Sequence, residues 1–178
     1  MTTSIIFAGA GGQGIQFSGK QMAKTAMYCD LQVTFLPSYG PEMRGGTANC
    51  NVILSDTPVG SPIITAPDVL IAMNLPSLQK YVDTVVPGGQ IYVDSSLIDV
   101  RVDRTDVEVF YVPATHMAKE EGIGSLANMI IVGSLLENNP QLSFDGVADV
   151  VDSLVPPKKA ALKELNMKAL LLGKNYNK

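Results

Sequence analysis

The 178-residue chain carries 13 basic and 17 acidic residues, a net charge of −4, and is 46% hydrophobic but only 17% charged. That length supports one sizeable core, residues 1–178 as a single domain, and a charge content below the roughly 25% usual for soluble domains points to surface meant for a partner. No apolar run reaches the roughly 18 residues of a membrane-spanning helix, the acidic balance argues against nucleic acid, and Cys29, Cys50 and His116 are too few and too scattered to ligate zinc or an iron–sulfur cluster.

Met1-Thr2-Thr3-Ser4 leads straight into an apolar strand over 4–8 with no basic leader, so a cytoplasmic chain is expected. Glycines stop that strand, and apolar residues at helical spacing predict a helix over 13–28. Strands over 32–36 and 48–54 follow, joined by a turn-rich loop, Pro37 to Gly46; joined this way the pair can run antiparallel and make the sheet mixed. A strand over 69–73, a helix over 75–85 and a strand over 90–94 come next, then a strand over 107–112 and a short helix over 115–121 closing at Gly122. Ser125 is the expected cap of a helix over 126–136 that is apolar on nearly every face, hence core or interface and a potential homodimer surface in the isolated chain. Helices over 143–154, capped by Ser143, and 157–172, with proline in its first turn, complete the chain. The pattern predicts an α/β fold of three layers: a central, mostly parallel or mixed sheet with helices on both faces and a Rossmann-like start.

Two constellations could carry chemistry. Gly9-Ala10-Gly11-Gly12-Gln13-Gly14 satisfies GxGxxG between a strand and a helix, where bare backbone N–H groups at a helix N-terminus suit a phosphate or carboxylate. A dinucleotide reader also needs an acid after the second strand; Asp30 precedes that strand and Pro37-Ser38 follow it, so the loop reads either as a phosphate contact or as a structural turn. Arg44, flanked by Gly45 and Gly46, offers a planar fork for a carboxylate or phosphate, or else pairs with Glu42 or a neighbouring subunit. Asn128, on the all-apolar helix, serves either a ligand or a buried hydrogen-bond need. Cys29 and Cys50 read as buried reduced thiols, and His116 is assigned no role. The tail after Pro156 holds six lysines, from Lys158 to Lys178, against Glu164, and suits a solvated helix face or an acidic partner subunit.

Taken together, the GAGGQG loop, Ser38-Tyr39-Gly40-Pro41-Glu42-Met43-Arg44-Gly45-Gly46 and Ala127-Asn128-Met129 resemble the gamma subunit of 2-oxoacid:ferredoxin oxidoreductases over essentially the whole chain. The resemblance implies a non-autonomous subunit of a complex that oxidatively decarboxylates a 2-oxoacid to an acyl-CoA with ferredoxin as acceptor. It implies alpha and beta subunits as partners, a delta ferredoxin-like subunit in some complexes, and thiamine diphosphate, magnesium, 4Fe-4S clusters and coenzyme A in the complex, with no cofactor bound by this chain alone. Gly9, Gly11, Gly12, Gln13, Gly14, Arg44, Gly45, Gly46 and Asn128 are then the candidate cofactor contacts, and no residue is assigned to catalysis or metal. The alternative is a stand-alone dinucleotide- or CoA-binding module.

Overall fold

The computed structural model describes residues 1–38, 47–139, 144–155 and 161–176, leaving aside the side chains of residues 47, 144, 145, 148 and 152. Arg44, Gly45 and Gly46, the Ser143 cap and the first-turn proline at 157 lie outside the described residues.

The β-branched run at the N-terminus forms β1 (Thr2–Ala10), which passes through Gly9 instead of stopping at it. Helix α1 (Ile15–Tyr28) has Gly14 as its N-cap and starts two residues later than its periodicity suggested. Strands β2 (Gln32–Pro37) and β3 (Thr47–Ser55) follow, then β4 (Val69–Ala72), β5 (Gln90–Asp94) and β6 (Glu108–Val112). Among the described residues these make one sheet in the order β2-β3-β1-β4-β5-β6. Its strands run in a common direction except β3, which is antiparallel to β1 from Thr2 opposite Ser55 to Ala10 opposite Thr47, and antiparallel to β2. The mixed sheet allowed by the sequence is therefore present, with the reversed strand inserted beside β1.

The two faces of β1 divide the core. Ile5 and Phe7 point into the larger cluster, under α1, α3 (Ala114–Glu120), α4 (Ala127–Glu137), α5 (Phe144–Leu154) and α6 (Ala161–Asn175). Ile6 and Ala8 point into a smaller one under α2 (Leu75–Tyr81). Helix α2 is capped by Asn74, whose side chain accepts from Ser77 N–H at 3.1 Å; it tightens into a 3-10 turn over Val82–Thr84, so the helix expected over 75–85 ends early. Helix α3 closes at Gly122 (φ +69°), with Ile123 N–H donating to Ala118 O and Gly122 N–H to Lys119 O, the paired bonds that satisfy a helix C-terminus.

One expectation at this end of the chain needs correcting. Ser125 is not the cap of α4: it sits inside a 3-10 turn, Gly124–Leu126, and the residue preceding α4 is Leu126, which makes no side-chain cap bond. Of the two readings left open for α4, core or interface, the core one holds. Ala127 to Leu136 are all buried within this chain, because α6 lies against it where Gly133 faces the Leu170 carbonyl and Gly173 faces the Ile130 carbonyl, both too close for any Cβ. The uniform apolarity of α4 thus reflects enclosure inside the chain and gives no ground for a homodimer through it.

Candidate functional site

The glycine loop leaves the carboxyl end of β1, which lies in the middle of the sheet, between antiparallel β3 and parallel β4. Chain connections depart to opposite sides there, the kind of switch point at which open α/β sheets form a ligand crevice. Its four candidate glycines have different physical reasons. A Cβ on Gly9 would lie 2.7 Å from both Gln13 Oε1 and Ile15 Cδ1, and one on Gly14 2.6 Å from Asn128 Nδ2. Gly14 (φ +74°) and Gly12 (φ +89°) also occupy the left-handed region, which L side chains enter at a cost. Gly11 has neither constraint: among the described residues nothing lies within 4 Å of its would-be Cβ, and the residue is exposed.

Gln13 holds the loop from within. Its Oε1 accepts from Ala10 N–H at 2.6 Å and its Nε2 donates to the Met73 carbonyl at 2.8 Å, tying the loop to the end of β4. Both ends of the amide are thus occupied inside the fold, which makes Gln13 a positioning residue; the surface offered outward is backbone at Gly11 and Gly12. Asn128 holds the loop from behind, donating through Nδ2 to the Gly14 carbonyl at 3.3 Å and to Ser18 Oγ at 2.9 Å. It is 4% exposed, and its Oδ1 has no partner among the described residues. Gln16, in the first turn of α1, donates to the Asn49 carbonyl at 2.8 Å and fixes the helix start against β3.

What the loop can do follows from that geometry. The first-turn N–H groups of a helix have no intrahelical acceptor, α1 has no acidic residue in its first turn, and the helix dipole favours an anion there. The ribose-reading half of a dinucleotide site is not supplied, because β3 separates β2 from β1 and the residues that end β2 are Pro37 and Ser38, whose N–H donates to the Asn49 carbonyl at 3.0 Å. Asp30 sits instead in the turn between α1 and β2, in the left-handed region (φ +59°).

The cysteines do not fit a cluster. Cys50 is buried on β3, its thiol donates to the Ile15 carbonyl at 3.5 Å, and burial pushes its pKa up to about 12, so it stays a neutral thiol, and the thiolate is the form that binds metal. Cys29 corrects the expectation of two buried thiols, for it is only half-buried, at the end of α1. Among the described residues no group of three or more His, Cys, Asp or Glu side chains is placed to hold a metal ion, and no helix is long and apolar enough to cross a membrane. His116 is exposed, with Nε2 3.3 Å from Glu120 one turn on.

The sequence singled out Asn128 without its connection to Gly14. The signal for that contact was a glycine required at the helix start, with no side chain of its own to explain the need.

A mixed α/β sheet with a glycine turn after its central strand β1 defines the class: a Rossmann-like domain without the ribose reader of a dinucleotide site. The chain belongs to the pyruvate ferredoxin/flavodoxin oxidoreductase family, whose model matches residues 4–176. The 2-oxoglutarate synthase subunit KorC of Methanothermobacter marburgensis is 33% identical over 98% of this chain and 96% of its own length. The gamma subunit of a keto/oxoacid ferredoxin oxidoreductase from Geobacter sulfurreducens superposes with a TM-score of 0.83 at 32% identity, covering 96% of this chain and 95% of that one. The 2-oxoglutarate:ferredoxin oxidoreductase of Magnetococcus marinus, solved with 2-oxoglutarate, coenzyme A and succinyl-CoA, matches with a TM-score of 0.86 at 27% identity over 97% of this chain but 30% of that longer one.

Proposed function

We propose that this chain is the gamma-type subunit of a cytoplasmic 2-oxoacid:ferredoxin oxidoreductase, forming one domain over 1–178 that is inactive without its companions. The observation that carries the reading is the glycine loop itself, where Gly11 and Gly12 are exposed at the start of α1, in a chain whose Cys50 is a sealed thiol and whose described residues hold no group of three or more metal-ligating side chains. A protein so built binds and shapes, and leaves electron transfer to others. The alpha and beta subunits would supply thiamine diphosphate, magnesium and 4Fe-4S clusters. Thiamine diphosphate in that setting supplies the carbanion chemistry of decarboxylation.

The part assigned to this chain is to receive coenzyme A. The backbone N–H groups of Gly11, Gly12 and the first turn of α1 suit its phosphates, Gln13 and Asn128 fix that backbone from β4 and α4, and the Arg44-Gly45-Gly46 segment would add a guanidinium fork. The 2-oxoacid tested first is 2-oxoglutarate, the substrate named for two of the relatives above, the KorC subunit and the Magnetococcus marinus enzyme.

The test is reconstitution. Wild-type complex should form succinyl-CoA from 2-oxoglutarate with ferredoxin reduction, while the chain alone should do neither. Arg44→Ala and Gly12→Asp, which strains the turn and sets a carboxylate beside it, should raise KM for coenzyme A roughly tenfold or more, a loss of about 1.4 kcal/mol in binding, with KM for the 2-oxoacid unchanged. Turnover by the isolated chain, or unchanged coenzyme A dependence in both variants at normal assembly, would overturn the reading.

A further inference from the structure

Among the described residues the sheet ends at β6, at the edge opposite β2. Glu108 N–H donates to the Gly89 carbonyl at 2.9 Å, and the Val112 carbonyl accepts from Ser95 N–H at 3.0 Å, so residues 108, 110 and 112 turn their backbone groups toward β5. The two-residue period of a strand turns those of Val109 and Tyr111 outward, where no further strand follows among the described residues.

These groups face a cleft of about 550 Å³ whose walls include Val109, Phe110, Tyr111 and Val112. Consecutive residues of one strand point to opposite faces of a sheet, so a cleft lined by all four wraps around the edge and does not sit on one face. Arg101 stands at its rim, exposed, its guanidinium carbon 4.1 Å from the centroid of the Tyr111 ring. The ring is itself fixed, since Tyr111 Oη accepts from Val102 N–H at 2.8 Å. Among the described residues the guanidinium has no hydrogen-bond acceptor, and no acidic side chain lines the cleft. A guanidinium seated over an aromatic ring, with no acceptor among the described residues, is set for a carboxylate.

We infer that β6 is a strand-addition site for an extended segment of a companion subunit, carrying an acidic residue that pairs with Arg101. Backbone groups of Val109 and Tyr111 supply the ladder, and the Arg101 fork supplies the choice of side chain, the division of labour found where peptides add to sheet edges. Natural edges are blunted when they must not pair; here Pro113, without an N–H, ends the ladder after five residues, which limits the guest to a short segment and leaves the edge itself available. A second copy of this chain is a poorer guest, since the other β6 presents the same uncompensated arginine.

This inference rests on the subunit reading above, and hydrogen–deuterium exchange on the full chain, alone and in the complex co-expressed with its catalytic subunits, separates the two. The Val109 and Tyr111 amides should exchange freely in the isolated chain and about a hundredfold more slowly in the complex. Arg101→Glu should weaken assembly at least about tenfold, and Arg101→Lys, a cation without the fork, by less; both should melt with the wild type. Complex formation with unchanged exchange at 109 and 111, or with full affinity in Arg101→Glu, overturns the strand-addition site and leaves the subunit reading standing. Protection of both amides in a self-associated isolated chain overturns it in favour of a homodimer edge, and failure of any complex to form removes both readings.

Discussion

Gly14 is where the glycine loop, α1 and α4 meet, and replacing it by alanine separates two energies that usually come mixed. The backbone term arises because φ is +74°; a Cβ in the left-handed region costs roughly 1–2 kcal/mol. The packing term arises because that Cβ would lie 2.6 Å from Asn128 Nδ2 and 2.9 Å from its Cγ, and overpacking of this kind costs about 1–3 kcal/mol. Gly14→Ala should therefore destabilise by about 2–5 kcal/mol, a fall in Tm of roughly 4–20 °C for a chain of this size.

The same substitution in an Asn128→Ala background should cost only the backbone part, since the clashing amide is gone. Asn128→Ala alone should lose about 1–3 kcal/mol, because it takes the donor away from the Gly14 carbonyl and Ser18 Oγ. The double-mutant cycle, read by urea denaturation, should then show a coupling of about 1–3 kcal/mol in the direction of rescue. Gly11→Ala is the internal control: with open space around it and an ordinary φ, it should stay within about 0.5 kcal/mol of wild type. Equal costs of Gly14→Ala in both backgrounds, or a Gly11→Ala as damaging as Gly14→Ala, would refute the assignment of the loop's glycines.

Gly173→Ala would place a methyl against the Ile130 carbonyl across the α4/α6 crossing, backbone against backbone with nothing to rotate aside, so it should cost at least about 3 kcal/mol or give insoluble protein, as circular dichroism melts would show, although alanine is the better helix former by about 1 kcal/mol. Cys50, with its thiol pushed up by burial from 9.0 to about 12, should resist iodoacetamide in the native chain at pH 8 while the half-buried Cys29 reacts, as peptide mass spectrometry would record. Because the folded pKa lies above the unfolded one, the Cys50 contribution is complete below about pH 9 and is lost as pH rises toward 12, at about 1.4 kcal/mol per pH unit. Comparing wild type with Cys50→Ala in denaturant between pH 9 and 10, below the range where the buried Tyr92 adds its own slope to both, should show an extra slope of that size in the wild type.

Local pattern carried most of the architecture. The strand, glycine turn and helix at the N-terminus, the 90–94 strand and the glycine closing α3 all rest on short-range chemistry that a sequence displays directly. What it could not display was the place of β3. The residues of β2 and β3 read as two strands in either pairing, and only the finished sheet shows β3 lying between β2 and β1, which is what moves the end of β2 away from the glycine loop. The cap at Ser125 failed for a related reason: serine suits a helix start, but a 3-10 turn intervened before α4 began. The enclosure of α4 did leave a trace, in Gly133 and Gly173. A glycine inside a helix costs about 1 kcal/mol relative to alanine, and one on each of two helices signals a close crossing.

The glycine loop shows the same division within six residues. GxGxxG names the residue type but not the reason for it, and the reasons differ: Gly9 makes room for Gln13 and Ile15, Gly14 for Asn128, and Gly12 takes a backbone angle that other residues avoid. Those three are required by this chain's own atoms. Among the described residues nothing makes the same demand at Gly11, where a Cβ would meet no atom within 4 Å. The coenzyme A phosphate proposed to approach this loop would make use of bare backbone at that position, since such groups suit the N–H donors of a helix start.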